Sequence, residues 1–277
     1  MKIRIITAGI FVAVMLTGMF GGAYTYLLVF GMINFLCLWE FYDMVLPAKG
    51  DKNRLKKLLT LALGMYPFII TGLVELELIN FDNGLLLKLV ILYVVGFYLN
   101  FVLELFKTSS SPLSYLGLTT LGIVYISSAF AILNLIVFES GIYQMHIVMG
   151  IILLVWTNDA AAYFVGSSLG KNYLFPRISP KKTWEGTIGG GLITLIIAYP
   201  VSLVFPQLSF GIWMGAAIVI TIFGGIGDLV ESMIKRSKFI KDSGGLLPGH
   251  GGFLDRFDAF IFCVPFVAAF LIFMNSI

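Results

Sequence analysis

The chain has 277 residues, of which 59% are apolar and only 12% are charged, and its formal net charge is +3. Soluble domains carry roughly 25% charged residues, so this composition excludes an ordinary water-soluble fold. Apolar runs of about 20 residues recur along the sequence, and a helix needs this length to cross the hydrocarbon core of a bilayer. A transmembrane β-barrel would instead show alternating segments of about ten residues. We therefore predict an all-α polytopic membrane protein.

Nine transmembrane helices are predicted from the apolar runs. Their ranges are 4–20, 22–43, 58–79, 85–106, 115–138, 147–168, 187–205, 209–230 and 257–275. Basic residues precede the first run, as in a signal peptide, but no A-x-A cleavage site follows, so we expect this helix to be retained. Both cysteines lie within apolar runs and have no metal-ligand spacing, so we interpret them as small buried hydrophobic residues.

The basic residues are distributed unevenly between the predicted loops. Those on one side of the layout are Lys2, Arg4, Lys49, Lys52, Arg54, Lys56, Lys57, Lys107, Lys171, Arg177, Lys181, Lys182, Lys235, Arg236, Lys238, Lys241 and Arg256. Lys88 is the single exception. It lies one turn inside the fourth helix, and its side chain can extend to the membrane surface on the side without basic loops. Because Lys and Arg concentrate in cytoplasmic loops, the N-terminus is predicted to be cytoplasmic and the C-terminus extracytoplasmic. Glu40, Asp43 and Glu104 lie near predicted membrane boundaries, and we expect them simply to reach water.

The most polar stretch of the sequence spans residues 224–258. Asp228 and Glu231 lie three residues apart at the end of the eighth helix, and Asp255 and Asp258 have the same spacing at the start of the ninth. Each spacing puts both carboxylates on one face of a helix. The two clusters would repel each other at close range unless a divalent cation lay between them, and Mg²⁺ is the usual cation where phosphates also bind.

The loop between the two carboxylate clusters is basic and rich in glycine. Its basic residues are Lys235, Arg236, Lys238 and Lys241. They outnumber the acidic groups close to them, and glycine lets a loop adopt positive φ and approach a ligand closely. His250 could donate a hydrogen bond to a phosphate or exchange a proton. An exposed loop histidine without such a role is an equal alternative.

Two upstream features add to this pattern. Asp159 lies well inside the sixth helix, where an ionisable group is costly and needs a partner or a water-filled cavity. A structural hydrogen bond to a neighbouring helix is the alternative. The segment Ser179–Thr183 holds a proline and two lysines, and glycines follow at the start of the seventh helix. Lysines beside a helix start favour phosphate, although a loop that only sets topology is equally consistent and the P-loop spacing is absent.

Together these features indicate a polyphosphate, held with Mg²⁺ at the cytoplasmic face of the membrane beside lipid. Phosphoryl and nucleotidyl transfers rely on positioning and charge neutralisation, so carboxylates, cations and a metal are the expected parts. The alternative from another class is a cation transporter with a path lined by Asp159, Asp228 and Asp258. The clustering of these carboxylates with many cations at one face argues against transport.

A long residue pattern lies within the polar stretch. It reads Ser232-x-Ile234-Lys235-Arg236, then Lys241-Asp242-x-Gly244, then Leu247-Pro248-x-His250-Gly251-Gly252-Phe253-x-Asp255-Arg256-Phe257-Asp258. Upstream elements are Asp159-x-x-Ala162-Tyr163, Ser179-Pro180-Lys181-Lys182-Thr183-Trp184-Glu185-Gly186 and Gly227-Asp228-Leu229-x-Glu231-Ser232. This pattern closely resembles the signature of the phosphatidate cytidylyltransferases, also called CDP-diacylglycerol synthases. The resemblance covers about residues 155–260.

The resemblance implies that CTP and phosphatidate react to give CDP-diacylglycerol and pyrophosphate in the presence of Mg²⁺. Whether a second, monovalent cation is also required is left open. Catalytic roles are implied for Asp159, Lys182, Asp228, His250 and Asp255. Substrate binding is implied for Ser179, Lys181, Thr183, Ser232, Lys235, Arg236, Lys241 and Arg256. Metal ligation is implied for Asp228, Glu231, Asp255 and Asp258. A related CTP-dependent lipid enzyme, such as an ether-lipid cytidylyltransferase or a polyprenol kinase, is the alternative, and the His-Gly-Gly-x-x-Asp-Arg-x-Asp ending favours the phosphatidate enzyme.

The resemblance also implies an organisation. Residues 1–146 are expected to form an N-terminal scaffold that carries the dimer contacts, and residues 147–277 are expected to form the catalytic region. The expected partners are CTP, phosphatidate, membrane lipids and a second copy of the chain, with no nucleic acid. The expected location is the cell membrane, with the active site facing the cytoplasm.

Overall fold

The computed structural model of the chain describes residues 2–46, 51–79, 84–106, 111–139, 141–249 and 251–274. Within them lie nine helices: α1 (Lys2–Phe20), α2 (Ala23–Val45), α3 (Asp51–Glu75), α4 (Leu85–Leu105), α5 (Pro112–Val137), α6 (Met145–Leu169), α7 (Trp184–Val204), α8 (Phe210–Ser237) and α9 (Leu254–Phe273). Eight are long and apolar enough to cross a membrane, and α1 has a shorter apolar part, Ile6–Phe20. The predicted all-α polytopic fold is confirmed, and the sidedness of its termini stays a prediction.

Several helices continue beyond the predicted membrane boundaries. The clearest case is α8, which runs to Ser237 although the predicted span ends at residue 230. Lys235 and Arg236 lie in its last turn, where cations stabilise the negative end of the helix dipole. Glu231 forms an i,i+4 ion pair with Lys235, which also favours the helical conformation. Charged residues therefore mark where the apolar span ends, while the helix itself continues.

Two short antiparallel hairpins interrupt the helical pattern, and the sequence analysis had treated both segments as plain loops. The first pairs β1 (Phe138–Glu139) with β2 (Ile142–Tyr143). The second pairs β3 (Tyr173–Phe175) with β4 (Ser179–Thr183), with Tyr173 opposite Thr183 and Phe175 opposite Ser179. The second hairpin therefore holds the predicted Ser179–Thr183 segment in a defined register immediately before α7.

The chain divides into two compact units. The first comprises Met1–Tyr143 together with Ser243–Leu254, and the second comprises Gln144–Asp242 together with Asp255–Ile277. The segment Ser243–Leu254 therefore belongs to the first unit, although it lies within the polar stretch near the C-terminus. The functional division into a scaffold and a catalytic region concerns roles, so it stays a prediction.

Buried polar residues cross-link the helices of the first unit. The prediction that Glu40 and Glu104 simply reach water is wrong, because both side chains are buried. Glu104 accepts a hydrogen bond of 2.5 Å from Lys56, which is also buried. A buried carboxylate is tolerated when it is paired in this way. Asp43 behaves as expected, since it is exposed and forms an ion pair with Lys57.

Glycines at the start of α7 allow α6 and α7 to pack closely in the second unit. A Cβ added to Gly190 would lie 2.8 Å from the Cβ of Ala162 and 2.9 Å from its backbone nitrogen. A Cβ at Gly186 would lie 2.8 Å from the Ala162 carbonyl oxygen. Small residues at helix contacts are typical of membrane proteins, because they let backbones approach. These glycines therefore serve helix packing, and the interpretation that this segment also favours phosphate stays a prediction.

Candidate active site

A cavity in the second unit brings together most of the residues that the sequence analysis selected. Its volume is about 600 Å³, and its walls come from α6, the β3–β4 hairpin and the polar ends of α7, α8 and α9. The selected residues that line it are Asp159, Ser179, Lys181, Lys182, Thr183, Asp228, Lys235, Asp255, Arg256 and Asp258. Four carboxylates and four basic side chains thus share one space.

Asp159 is exposed to this cavity from α6. The sequence left open whether Asp159 lines a cavity or only forms a hydrogen bond to a neighbouring helix. The structure places it at a polar cavity. Its neighbour Asn158 is buried, and the amide oxygen of Asn158 lies 3.5 Å from the hydroxyl of Thr194 on α7. Asn158 also lines the cavity, so the two adjacent polar residues share it, and Asn158 in addition contacts α7.

Lys182 connects the hairpin to α8. Its Nζ lies 2.7 Å from Oδ2 of Asp228 and donates a hydrogen bond of 3.2 Å to the carbonyl oxygen of Gly225. The other carboxylate oxygen of Asp228 accepts a hydrogen bond of 3.3 Å from Ser232. The cavity-lining carboxylate is thus held on one side by an ammonium group and on the other by a hydroxyl.

The start of α7 is fixed by Thr183, the last residue of β4, and by Glu185 in the first turn of the helix. Thr183 is buried, and its hydroxyl oxygen accepts a hydrogen bond of 3.2 Å from the backbone nitrogen of Gly186, which caps the helix. Glu185 accepts hydrogen bonds from the backbone nitrogens of Lys171 and Asn172 at 3.1 and 3.2 Å. The sequence analysis assigned Glu185 no role. Its position in the first helical turn was the available signal, because acidic residues are favoured there.

Lys235 bridges two carboxylates. Its Nζ lies 2.6 Å from Oδ1 of Asp255 and also forms an ion pair with Glu231. Glu231 is completely buried and does not line the cavity, so Lys235 lies between a buried carboxylate and a cavity carboxylate. Asp258 is also buried, and its Oδ1 accepts a hydrogen bond of 2.7 Å from the backbone nitrogen of Ala259.

Three other selected residues in the described part of the chain are not among those that line the cavity. Ser232 is buried and donates its hydroxyl hydrogen bond to Asp228. Arg236 is exposed and donates a hydrogen bond of 2.8 Å to the carbonyl oxygen of Ile240, and Lys241 is exposed. His250 lies outside the described residues.

The donor chemistry of the cavity fits a hard divalent cation. Within the described residues, no three His, Cys, Asp or Glu side chains are arranged as a ready metal cage. Mg²⁺ needs no such cage, because it is usually bound by one or two carboxylates together with water and substrate phosphates. Asp228 and Asp255 both offer carboxylate oxygens at the cavity wall. Each of them also forms an ion pair with a lysine, Asp228 with Lys182 and Asp255 with Lys235.

Comparison with known proteins places this cavity in context. The chain matches the cytidylyltransferase family over residues 2–274. It belongs to this family. A phosphatidate cytidylyltransferase of Staphylococcus saprophyticus is 34% identical over 280 residues, covering 98% of this chain and 99% of that protein. One of Staphylococcus aureus (strain COL) is 37% identical over 179 residues, covering 61% and 68%. One of Bacillus subtilis is 42% identical over 156 residues, covering 54% and 56%.

Proposed function

We propose that the protein transfers the cytidylyl group of CTP to phosphatidate. An oxygen of the lipid phosphate attacks the α-phosphorus of CTP. The bond from that phosphorus to the oxygen bridging to the β-phosphate breaks, and pyrophosphate leaves while CDP-diacylglycerol remains in the membrane. The single observation that carries the proposal is the cavity in which four carboxylates and four basic residues meet, in a chain of the cytidylyltransferase family.

The charges of the cavity suit a reaction between two phosphate compounds. Lys181, Lys182, Lys235 and Arg256 are placed to neutralise the triphosphate and the lipid headgroup. The four carboxylates nearly cancel these cations, so a bound triphosphate adds negative charge that an additional cation must offset. Asp228 and Asp255 would hold Mg²⁺ in this role. When bound, the metal would neutralise charge that develops on the triphosphate as pyrophosphate leaves.

Asp159 and Asp258 have supporting positions in this scheme. Both line the cavity, and Asp258 is held by the Ala259 backbone. We assign them to orienting metal-bound water or to completing the metal site. Glu231 is buried beneath the residues that line the cavity, and its role is to fix Lys235 through their ion pair.

We also propose that the cavity opens to the cytoplasm of the cell membrane and that the protein works as a homodimer. The sidedness is supported by the loops rich in Lys and Arg, which include the β3–β4 hairpin and the end of α8. CTP is a cytoplasmic metabolite, so this orientation gives the enzyme direct access to it. The dimer is carried over from the family resemblance.

The test is a double-label transfer assay with the purified protein, Mg²⁺ and phosphatidate. With CTP labelled at the α-phosphorus, we expect the label to enter the lipid extract only when phosphatidate is present. With CTP labelled at the γ-phosphorus, we expect the label in pyrophosphate. A lipid kinase would give the opposite distribution with a polyprenol acceptor. Absence of lipid label from α-labelled CTP, or transfer of label from γ-labelled CTP to the lipid, would overturn the proposal.

A further inference from the structure

A single carboxylate oxygen of the first unit holds both ends of the segment Ser243–Leu254. Glu40 lies on α2 and is only 3% exposed. Its Oε2 accepts a hydrogen bond of 3.1 Å from the hydroxyl of Ser243 and one of 3.0 Å from the backbone nitrogen of Leu254. Ser243 and Leu254 are the first and last residues of the segment, so Glu40 closes it into a loop.

Two glycines of this loop, Gly244 and Gly252, pack against the same carboxylate. A Cβ added to Gly244 would overlap Oε1 of Glu40, and a Cβ added to Gly252 would overlap Oε2 and the hydroxyl of Ser243. The sequence analysis explained these glycines by the approach of a ligand. In the structure, the partner that requires them is Glu40, since side chains at either position would displace its carboxylate.

Other contacts within the first unit also order the loop. The backbone nitrogen of Leu247 donates a hydrogen bond of 3.0 Å to the carbonyl oxygen of Gly251. Gly249 and Gly251 have φ values of 79° and 84°, a region that glycine adopts without the penalty of other residues. The hydroxyl of Thr7 on α1 lies 3.3 Å from the carbonyl oxygen of Pro248. These contacts, together with those of Glu40, therefore order the loop.

Glu40 also caps α9 from a distant part of the chain. Leu254 is the first residue of α9, and the backbone N–H groups of a first helical turn have no partner within the helix. A negative charge at this end is favoured by the helix dipole. The carboxylate that satisfies Leu254 comes from 214 residues earlier in the sequence. Asp255 follows Leu254 directly in the chain, and Asp258 lies one turn later on the same helix.

We propose that Glu40 is a positioning residue for the reaction: by fixing the first residue of α9, it fixes the helix start from which Asp255 and Asp258 project. This inference rests on the proposed function. Glu40 is not among the residues that line the cavity, so it acts through the loop and the helix start. The role needs an acceptor oxygen at the position of Oε2, so the amide of glutamine can partly replace the carboxylate, whereas a methyl group cannot.

The test compares Glu40→Ala and Glu40→Gln with the control variant Asp43→Asn. The control removes a carboxylate from the same helix, where Asp43 is exposed and pairs with Lys57. Two quantities are measured on each purified protein: kcat and KM for CTP in the transfer assay, and amide hydrogen exchange of peptides covering residues 243–258 and the remaining helices.

We expect Glu40→Ala to lose at least tenfold in kcat, with faster exchange confined to residues 243–258. Glu40→Gln should recover part of both, and Asp43→Asn should match the wild type. The proposal is overturned if Glu40→Ala turns over within twofold of the wild type, or if its exchange rises equally in all helices. If the wild type itself forms no CDP-diacylglycerol, the proposed function fails, while unchanged exchange at residues 243–258 in Glu40→Ala would still refute the positioning role separately.

Discussion

The ammonium group of Lys182 lies 2.7 Å from the carboxylate of Asp228, and this contact joins two of the separate motifs found in the sequence. Lys182 comes from strand β4 and Asp228 from the polar end of α8. The lysine neutralises the carboxylate at the cavity wall. Under the proposed function, a metal ion would compete with Lys182 for Asp228, and a triphosphate would compete with Asp228 for Lys182. We therefore propose that the pair separates when these ligands bind.

The first prediction concerns the carboxylate of this pair. Asp228→Asn keeps the shape of the side chain but removes its charge, so we expect kcat/KM to fall about 10²–10³-fold, the usual cost of losing one preorganised electrostatic group. Asp255→Asn should behave in the same way. The measurement is CDP-diacylglycerol formation over a range of Mg²⁺ concentrations. Chelation of Mg²⁺ should abolish product in the wild type, and restored Mg²⁺ should recover it.

A control for these variants is Asp43→Asn, which removes an exposed carboxylate of the first unit. It should leave the Mg²⁺ dependence unchanged. Near-normal turnover of Asp228→Asn or Asp255→Asn at ordinary Mg²⁺ concentrations would remove that residue from the metal site.

The second prediction concerns Asp159. This residue lines the cavity from α6, as does its neighbour Asn158, whose amide oxygen also lies 3.5 Å from the hydroxyl of Thr194 on α7. Asp159→Ala should lower turnover per folded molecule about 10²-fold or more, with little change in the thermal unfolding temperature. Folded protein is quantified by size-exclusion chromatography before the assay. If turnover per folded molecule is intact and only the yield falls, Asp159 has a structural role.

The third prediction concerns the buried ion pair of Lys235 and Glu231. Lys235→Met would leave the completely buried carboxylate of Glu231 without its counter-charge, which typically costs about 3–5 kcal/mol of stability. Arg236→Met is the matched control, because Arg236 follows Lys235 in the sequence and its side chain is exposed. Its effect should stay within about 0.5 kcal/mol. Thermal unfolding in detergent distinguishes the two, and equal shifts for both variants would contradict the prediction.

A double variant tests the physical reason. Replacing both partners of a buried ion pair is often neutral, because no charge is left uncompensated. Glu231→Gln combined with Lys235→Met should therefore recover part of the stability lost in Lys235→Met alone. Its activity should stay low, since Lys235 also holds Asp255 at 2.6 Å.

Sequence alone predicts the parts of this molecule that follow from local patterns. A bilayer imposes one length on every spanning helix, so the hydropathy of the chain was enough to place nine helices. The polar side chains of the cavity were also found, because charged residues are rare in such a chain. The Lys182–Asp228 pair could not be foreseen, since its partners lie on different elements and no local spacing relates them.

Glu40 shows the same limit more clearly. In sequence it is an ordinary carboxylate near the end of an apolar run, where most such groups reach water. Its contacts with Ser243 and Leu254 depend on residues more than 200 positions away. The glycines of α7 show a related limit, because glycine permits a close approach of either a ligand or a second helix. The position of Ala162 reveals the helix packing, and a role for this segment beside phosphate stays a prediction.

The fourth prediction tests that glycine packing. Gly190→Ala places a methyl group 2.8 Å from Ala162, so α6 and α7 must move apart. Overpacking of this kind costs about 1–3 kcal/mol. Gly117→Ala on α5 is the control, because a Cβ there meets nothing within 4 Å and alanine has the higher helix propensity. We expect a lower unfolding temperature for Gly190→Ala and an equal or higher one for Gly117→Ala. The reverse order would show that α7 adjusts freely.

The fifth prediction concerns sidedness, and single cysteines can test it in intact cells. Ile142 and Lys171 are both exposed, in loops that the charge distribution puts on opposite sides of the membrane. A membrane-impermeant maleimide should label Ile142→Cys in intact cells and Lys171→Cys only after lysis. The native Cys37 and Cys263 are buried, so the unsubstituted chain provides the background control. Labelling of Lys171→Cys before lysis would reverse the predicted orientation and place the basic hairpin, with the cavity it borders, outside the cytoplasm.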